Sequence, residues 1–215
     1  VTAGGSTGVA AAGGSTGVAA AGGSAGNVAS SDYIDDDFYA LLRADAVEWR
    51  RVGAAPDPAD PLHRAAIELV TAEAWLLDEG RYEDWLDLFT VECAYVVPAS
   101  SGGDVQREVT LAFDDRRRLG DRIHWYRTGV ASAQIPPSRT THLLSAPVVV
   151  ATARPGELKL RASLIVHEAR VGAPRALAGW TGHVLTEEGG RLRIARKLVQ
   201  IVDAEHGHRN LSFLL

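Results

Sequence analysis

The chain has 215 residues and a formal net charge of −5, and a mildly acidic chain repels phosphate backbones on average, which argues against a nucleic-acid partner. Cys93 is the single cysteine, which excludes an internal disulfide and fits a reducing cytoplasm. No apolar run reaches the roughly 20 residues that cross a bilayer, and the first 29 residues hold no Lys or Arg, so neither a membrane span nor a secretory signal is expected.

Residues 3–29 are three copies of a nine-residue unit, AGGSTGVAA, AGGSTGVAA and AGGSAGNVA. Gly, Ala and Ser have little side chain to bury, so residues 1–31 are expected to form a flexible tail. A phosphate-cradling glycine loop at GGSTG is the competing reading. It fails because no strand precedes the glycines, no Lys follows them, and the motif arises by repetition.

Residues 32–61 read as an arm. The acidic stretch Asp32 to Asp37 leads into Phe38, Leu41 and Leu42, and Pro56, Pro58 and Pro61 close it. A folded domain is expected over 62–215. Leu62, Ala66, Leu69, Val70, Ala74 and Leu77 recur at helical spacing, Gly80 stops that helix, and Tyr82 to Phe89 reads as a second, shorter one. Cys93 to Val97 reads as a strand ending at Pro98. Phe113 to Arg127 is Arg-rich and helical in pattern, with Leu119, Ile123 and Tyr126 on one side.

Strands then take over. His142 to Ala153 reads as one long strand. In the next, Leu158, Leu160, Ala162, Leu164 and Val166 alternate with Lys159, Arg161, Ser163 and His167, which predicts a half-buried antiparallel strand. Ala176, Ala178, Trp180 and Val184 continue the buried parity, and Gly189-Gly190 makes the turn. In the last strand Leu192 and Ile194 share one face while Val199 and Ile201 have opposite parity, which predicts a β-bulge near Ala195 to Lys197. Helices first and long bent strands afterwards give an α+β fold, a curled sheet around helices enclosing a conical pocket.

One cysteine cannot supply a Rieske cluster or a Cys₄ or Cys₂His₂ zinc site. A mononuclear iron site needs two His and a carboxylate; Asp203, Glu205, His206 and His208 are the nearest set, and solvated loop is the better reading. For acid–base chemistry the pocket candidates are Tyr95, His142, His167 and Trp180, with Asp87 and Asp114 as carboxylate partners. Cys93, flanked by Ala94, Tyr95 and Val96, reads as an inert core residue. No nucleophile elbow or dinucleotide fingerprint is present.

Three blocks resemble the small (β) subunits of bacterial aromatic-ring-hydroxylating dioxygenases. The first is AEAWLLDEGRYEDWLDLFTVECAYVVPA, from Ala72 to Ala99. The second runs from Phe113-Asp114-Asp115 to Ser145 and holds Pro136-Pro137-Ser138-Arg139-Thr140, its most specific part. The third is RIARKLVQIVDA and the ending His208 to Leu215, similar to the family's Asn-Leu-Ser tail. Ala131 to Ile135 and Thr141 depart from the family pattern and bear on the partner contact surface more than on the fold.

The resemblance implies a cystatin-like, nuclear-transport-factor-2-like cone with no catalytic, metal or cofactor site of its own. It also implies assembly with a large (α) subunit, commonly as an α3β3 hexamer. That partner would carry the Rieske 2Fe-2S cluster and the mononuclear iron. A reductase, often with a ferredoxin, would pass electrons from NADH, and both atoms of O₂ would enter the ring as a cis-dihydrodiol. The β subunit's implied role is structural, with an influence on substrate choice in some members. An interface calls for buried aromatic and Arg anchors, so Trp125, Arg127, Arg139, Asn210, Leu211 and Phe213 are the subunit-interface candidates. The rival functions are a free-standing cone-fold dehydratase or isomerase using His142 or Tyr95 with a pocket carboxylate, and a pocket-bearing binding protein. Fold alone does not choose among them.

Overall fold

A computed structural model of the chain describes residues 31–215, except 102, 103, 130, 171, 173, 207, 209 and 210. The nine-residue repeats therefore lie outside the described residues. Helix α1 spans Asp36–Glu48, and the Asp35 side chain caps it by accepting from the Phe38 N–H. Helix α2, Pro61–Asp78, starts with proline where no N–H is needed, under an Asp60 cap. Gly80, at φ 64°, turns the chain into the short α3, Tyr82–Leu86. That helix is shorter than its sequence pattern, because Phe89 opens strand β1, Phe89–Pro98.

Strand β2, Thr110–Asp115, precedes α4, Arg116–Thr128. Phe113 is thus a strand residue rather than a helical one. The Asp115 carboxylate accepts from the Arg118 N–H and fixes the helix start there. The expected long strand from His142 is two strands, β3 Arg139–Leu144 and β4 Val148–Val150. Pro147, which has no N–H to give a ladder, lies in the break. Strands β5 Leu158–Ala169, β6 Arg175–Glu188 and β7 Arg191–Ile201 complete one curved sheet in the order β2-β1-β7-β6-β5-β3, with β4 also on β5. All pairings are antiparallel except β1 with β7.

The predicted bulge is present. Leu185 opposes Ile194 and Val184 opposes Arg196, so Ala195 is the extra residue. It reverses the parity of β7 and bends the sheet. Gly189 and Gly190, at φ 61° and 73°, form the turn before it.

Inside the curve, Ala66, Val70, Leu77, Trp85, Leu119 and Ile123 of the helices pack against Tyr95, Leu160, Val166, Leu185 and Val199 of the sheet. Two sequence-based expectations are corrected here. In β6 the inward side chains are Leu177, Thr181, His183 and Leu185, while Ala176 and Ala178 are exposed on the outside. Leu62, placed on the apolar stripe of α2, is 48% exposed.

The outer face is covered as well. Phe38 and Leu42 of α1 lie on Ala94 and Val96, and Trp49 packs with Val150, Val184 and Leu198. Lys159, expected to face water, is fully buried beneath α1. Its Nζ bonds Asp45 at 2.6 Å and also Glu48. Arg196 bonds Asp45 at 2.6 Å and Glu157 at 2.5 Å, and Arg154 adds a third cation to the three carboxylates. The alternation rule placed Lys159 on the correct side of the strand; an acidic helix, rather than solvent, occupies that side.

Candidate functional site

Glu73 is the carboxylate at the centre of the cone. It sits on the buried stripe of α2 between Val70 and Leu77. It accepts from Trp85 Nε1 at 3.1 Å and Lys197 Nζ at 2.7 Å, and pairs with His183 Nε2 at 2.7 Å. Burial opposes its charge, but Lys197 and His183 outweigh it and hold the carboxyl far below its usual range. His183 Nδ1 and Thr181 Oγ1, on the same inner face of β6, have no hydrogen-bond partner among the described residues.

The C-terminal segment seals this part of the cone. Phe213, Leu214 and Leu215 are all buried. The Leu215 N–H donates to Tyr95 Oη at 3.0 Å, and Lys197 Nζ donates to the Leu215 main-chain oxygen at 2.6 Å. Tyr126 Oη donates to the Ser212 carbonyl at 2.6 Å, and Gln134 Nε2 to Ser212 Oγ at 2.6 Å. The space left among Tyr95, Val97, Arg122 and Leu215 is about 10 Å³. That volume is near the smallest that holds one water. Burial also pushes the Tyr95 phenol above its ordinary range, and the Cys93 thiol up to about 12, which leaves the thiol protonated and inert.

A larger space lies elsewhere, between α2 and the β3–β4 turn. It measures about 440 Å³ and is lined by residues including Val70, Ala74, Trp75, Leu144 and Pro147. At its edge His142 Nδ1 meets Asp78 Oδ1 at 2.6 Å. Asp78 also accepts from the His142 N–H at 2.9 Å and from Thr140 Oγ1 at 3.0 Å. Partial burial opposes the Asp78 charge, and these hydrogen bonds more than offset it, keeping the carboxyl below its usual range.

The four pocket candidates are thus not gathered in one cavity. Tyr95 holds the tail, His142 pairs with Asp78, His167 is exposed on the outer face, and Trp180 lies outside under Arg161 at 4.3 Å from its ring centroid. Neither proposed carboxylate meets a histidine: Asp87 faces Arg116 at 3.5 Å, and Asp114 is bound by Arg122 at 2.5 Å. The carboxylates within hydrogen-bond reach of a buried imidazole, Asp78 at 2.6 Å and Glu73 at 2.7 Å, are contributed by α2, and Glu73, Lys197 and His183 were not singled out in the sequence. An acidic residue inside an otherwise apolar helical stripe was the available signal. Among the described residues no group of three or more His, Cys, Asp or Glu is arranged to hold a metal ion. Near the C-terminus, His208 Nε2 lies 2.8 Å from the Asp203 carbonyl, and Glu205 accepts from the Ser101 N–H.

Of the interface candidates, Trp125 is 54% exposed and lines a surface groove of about 430 Å³ with Leu111, Arg122 and Leu211. Arg127 bonds Glu83 at 2.5 Å and the Gly80 carbonyl at 3.0 Å, tying α4 to α3. Arg139 is exposed at the start of β3. Phe213 is buried with the Arg175 guanidinium 5.2 Å from its ring centroid. Asn210 lies outside the described residues.

A curved sheet closed over helices is shared with solved oxygenase subunits. The β subunit of benzoate 1,2-dioxygenase from Burkholderia mallei superposes with a TM-score of 0.57 at 19% identity, covering 74% of this chain and 99% of that one. A chain of naphthalene 1,2-dioxygenase gives a TM-score of 0.60 at 21% identity, over 71% of this chain and 84% of that one. At such identities the likeness establishes the fold. Sequence goes further. Residues 72–205 match the model of the ring hydroxylating β subunit family. The small oxygenase component of the p-cumate 2,3-dioxygenase system of Pseudomonas putida is 31% identical over 170 residues, covering 77% of this chain and 94% of its own. The chain belongs to the family of ring-hydroxylating dioxygenase β subunits.

Proposed function

We propose that this chain is the non-catalytic β subunit of the terminal oxygenase component of a multicomponent aromatic-ring-hydroxylating dioxygenase. The observation that carries the non-catalytic part is the sealed cone: its central titratable groups, Glu73, His183, Lys197 and Tyr95, are spent on one another and on the tail. A buried carboxylate bonded to Trp85, His183 and Lys197, the last of which also holds the chain's own Leu215, has the character of a structural anchor. The free-standing dehydratase or isomerase reading loses support for the same reason, and family membership weighs against it.

In this reading a large α subunit holds the Rieske 2Fe-2S cluster and the mononuclear iron and performs cis-dihydroxylation. The assembly is α3β3 and cytoplasmic, served by a reductase with or without a ferredoxin. Residues 62–215 act as the cone domain, 32–61 as its arm and 1–31 as a tail. Trp125 is the favoured large-subunit anchor, because a half-exposed indole in a groove has the character of an interface hot spot.

The test is co-expression with a chain carrying Cys-x-His and Cys-x-x-His pairs, followed by sizing and oxygen uptake on aromatic substrates. Co-elution, with uptake that needs both chains, is the expected result. Turnover of an aromatic substrate by this chain alone would overturn the proposal.

A further inference from the structure

We infer that the pocket between the C-terminal end of α1 and the outer face of the sheet binds a small polyvalent oxyanion, a phosphate compound or a polycarboxylate. The pocket measures about 410 Å³ and is lined by Arg50, Arg51 and Arg161, with Ser145, Val148 and Ser163 among its other residues. No Asp or Glu lines it among the described residues, in a chain whose net charge is −5. It shares no residue with the tail-sealed space at Tyr95, and the inference does not depend on the oxygenase assignment.

Arg161 is a cation held in place without an anion. Its Nη1 donates to the Trp49 carbonyl at 2.6 Å, and its guanidinium carbon lies 4.3 Å from the Trp180 ring centroid. Burial pushes the guanidinium below its ordinary value, and no carboxylate opposes that shift. The neighbouring cations under α1 are matched differently: Lys159, Arg154 and Arg196 all meet Asp45, Glu48 or Glu157. Arg50 and Arg51 are exposed and, like Arg161, form no ion pair among the described residues. The end of α1 does not account for three cations. A helix C-terminus carries about half a negative charge, and Arg161 already serves it through Trp49, the C-cap residue. About two positive charges are left over.

The loop that carries Arg50 and Arg51 is fixed at both ends. The Arg51 N–H donates to the Glu48 carbonyl at 3.0 Å, and Ala54 exchanges two backbone hydrogen bonds of 2.8 Å with Val149 of β4. Gly53 lets the loop lie flat, since a Cβ there would stand 2.7 Å from Val148 Cγ2. Guanidinium forks presented on a fixed frame suit oxygens that accept in pairs, as phosphoryl and carboxylate groups do. An anion with one charge, an aromatic acid included, would leave most of the positive charge unmatched.

Pyrophosphate and citrate, with acetate and benzoate as monovalent controls, are the probes, titrated calorimetrically into the full chain in chloride buffer. Pyrophosphate or citrate is expected to bind saturably, and the tighter of the two identifies the phosphoryl or the carboxylate source. Acetate and benzoate should bind at least about tenfold more weakly, the worth of one charge-assisted hydrogen bond. Arg50→Gln combined with Arg51→Gln should weaken the polyvalent anion by about tenfold or more. Both side chains are exposed, so the melting temperature should stay nearly unchanged. In the unaltered chain the Nε nitrogen-15 resonance of Arg161 should move as the anion is added, a readout that needs no variant. Absence of saturable binding, benzoate binding as tightly as citrate and pyrophosphate, an affinity unchanged in the double variant, or an unmoved Arg161 resonance would each overturn the inference. So would loss of the co-expressed large subunit from the double variant when no small anion binds, which would make the pocket a protein contact.

Discussion

Lys159 illustrates how a single ammonium is held where water cannot reach it. Asp45 and Glu48, one helical turn apart on α1, both bond its Nζ, and Arg154 and Arg196 balance the remaining negative charge with Glu157. Removing one member of such a set leaves buried charge unpaired, which costs about 3–5 kcal/mol. Lys159→Met should fall at the low end, about 3 kcal/mol in urea denaturation, because Arg154 and Arg196 still face Asp45. A loss under about 1 kcal/mol would show that water enters beneath α1.

Glu73 sets a pH dependence by the same logic. Its carboxyl, and those of Glu48, Glu157 and Asp78, are all held below their ordinary values in the folded chain. Below about pH 4.5 the unfolded chain takes up protons that the folded chain refuses, so stability falls as pH falls and is fully present above that window. Each such group contributes at most about 1.4 kcal/mol per pH unit. Glu73→Gln should therefore make the acid limb shallower while lowering stability at neutral pH, where Lys197 and His183 lose their anion. Urea midpoints measured from pH 3 to 7 check both. An unchanged acid limb would mean that Glu73 is not ionised in the folded state.

At the scale of elements, α1 is fastened to the outside of the sheet by shape as well as charge. The Trp49 ring lies against Gly182 of β6 so closely that a Cβ there would stand 2.5 Å from the indole. Gly182→Ala should push Trp49 off the sheet at a cost of about 1–3 kcal/mol, read as a lowered urea midpoint with a red shift in tryptophan emission. A neutral effect would mean that the arm's contact contributes little. These contacts also mark where sequence reasoning succeeds and stops. Local rules placed the bulge within Ala195 to Lys197 and the turn at Gly189-Gly190, because parity and positive φ are properties of a few adjacent residues. They also picked out most of the α2 stripe. They missed the break at Pro147 and gave β6 the wrong buried parity, because β6 is covered on both faces near Trp49 and its polarity does not alternate. The partnerships of His142 with Asp78 and His183 with Glu73 span 64 and 110 residues, and no local pattern encodes them.

For the molecule as a whole, a subunit must keep its fold independent of its contacts. Two sets of charges are turned inward, in the seam under α1 and in the cluster at Glu73, while Trp125 stands in an open groove with Leu111 and Leu211. Arg127 is already committed to Glu83 and Gly80, and an exposed pair of this kind is worth at most about 1 kcal/mol. Trp125→Asp should therefore leave the melting temperature nearly unchanged, since a surface substitution shifts stability by about 0.5 kcal/mol or less. The same change should weaken association with the large subunit by about 30-fold or more, the effect of losing a hot spot of about 2 kcal/mol. Arg127→Ala should alter association by less than about fivefold. Sizing of the co-expressed chains over a dilution series reads both. If Arg139→Ala dissociates the complex and Trp125→Asp does not, the contact lies at the exposed start of β3 instead of along the α4 groove.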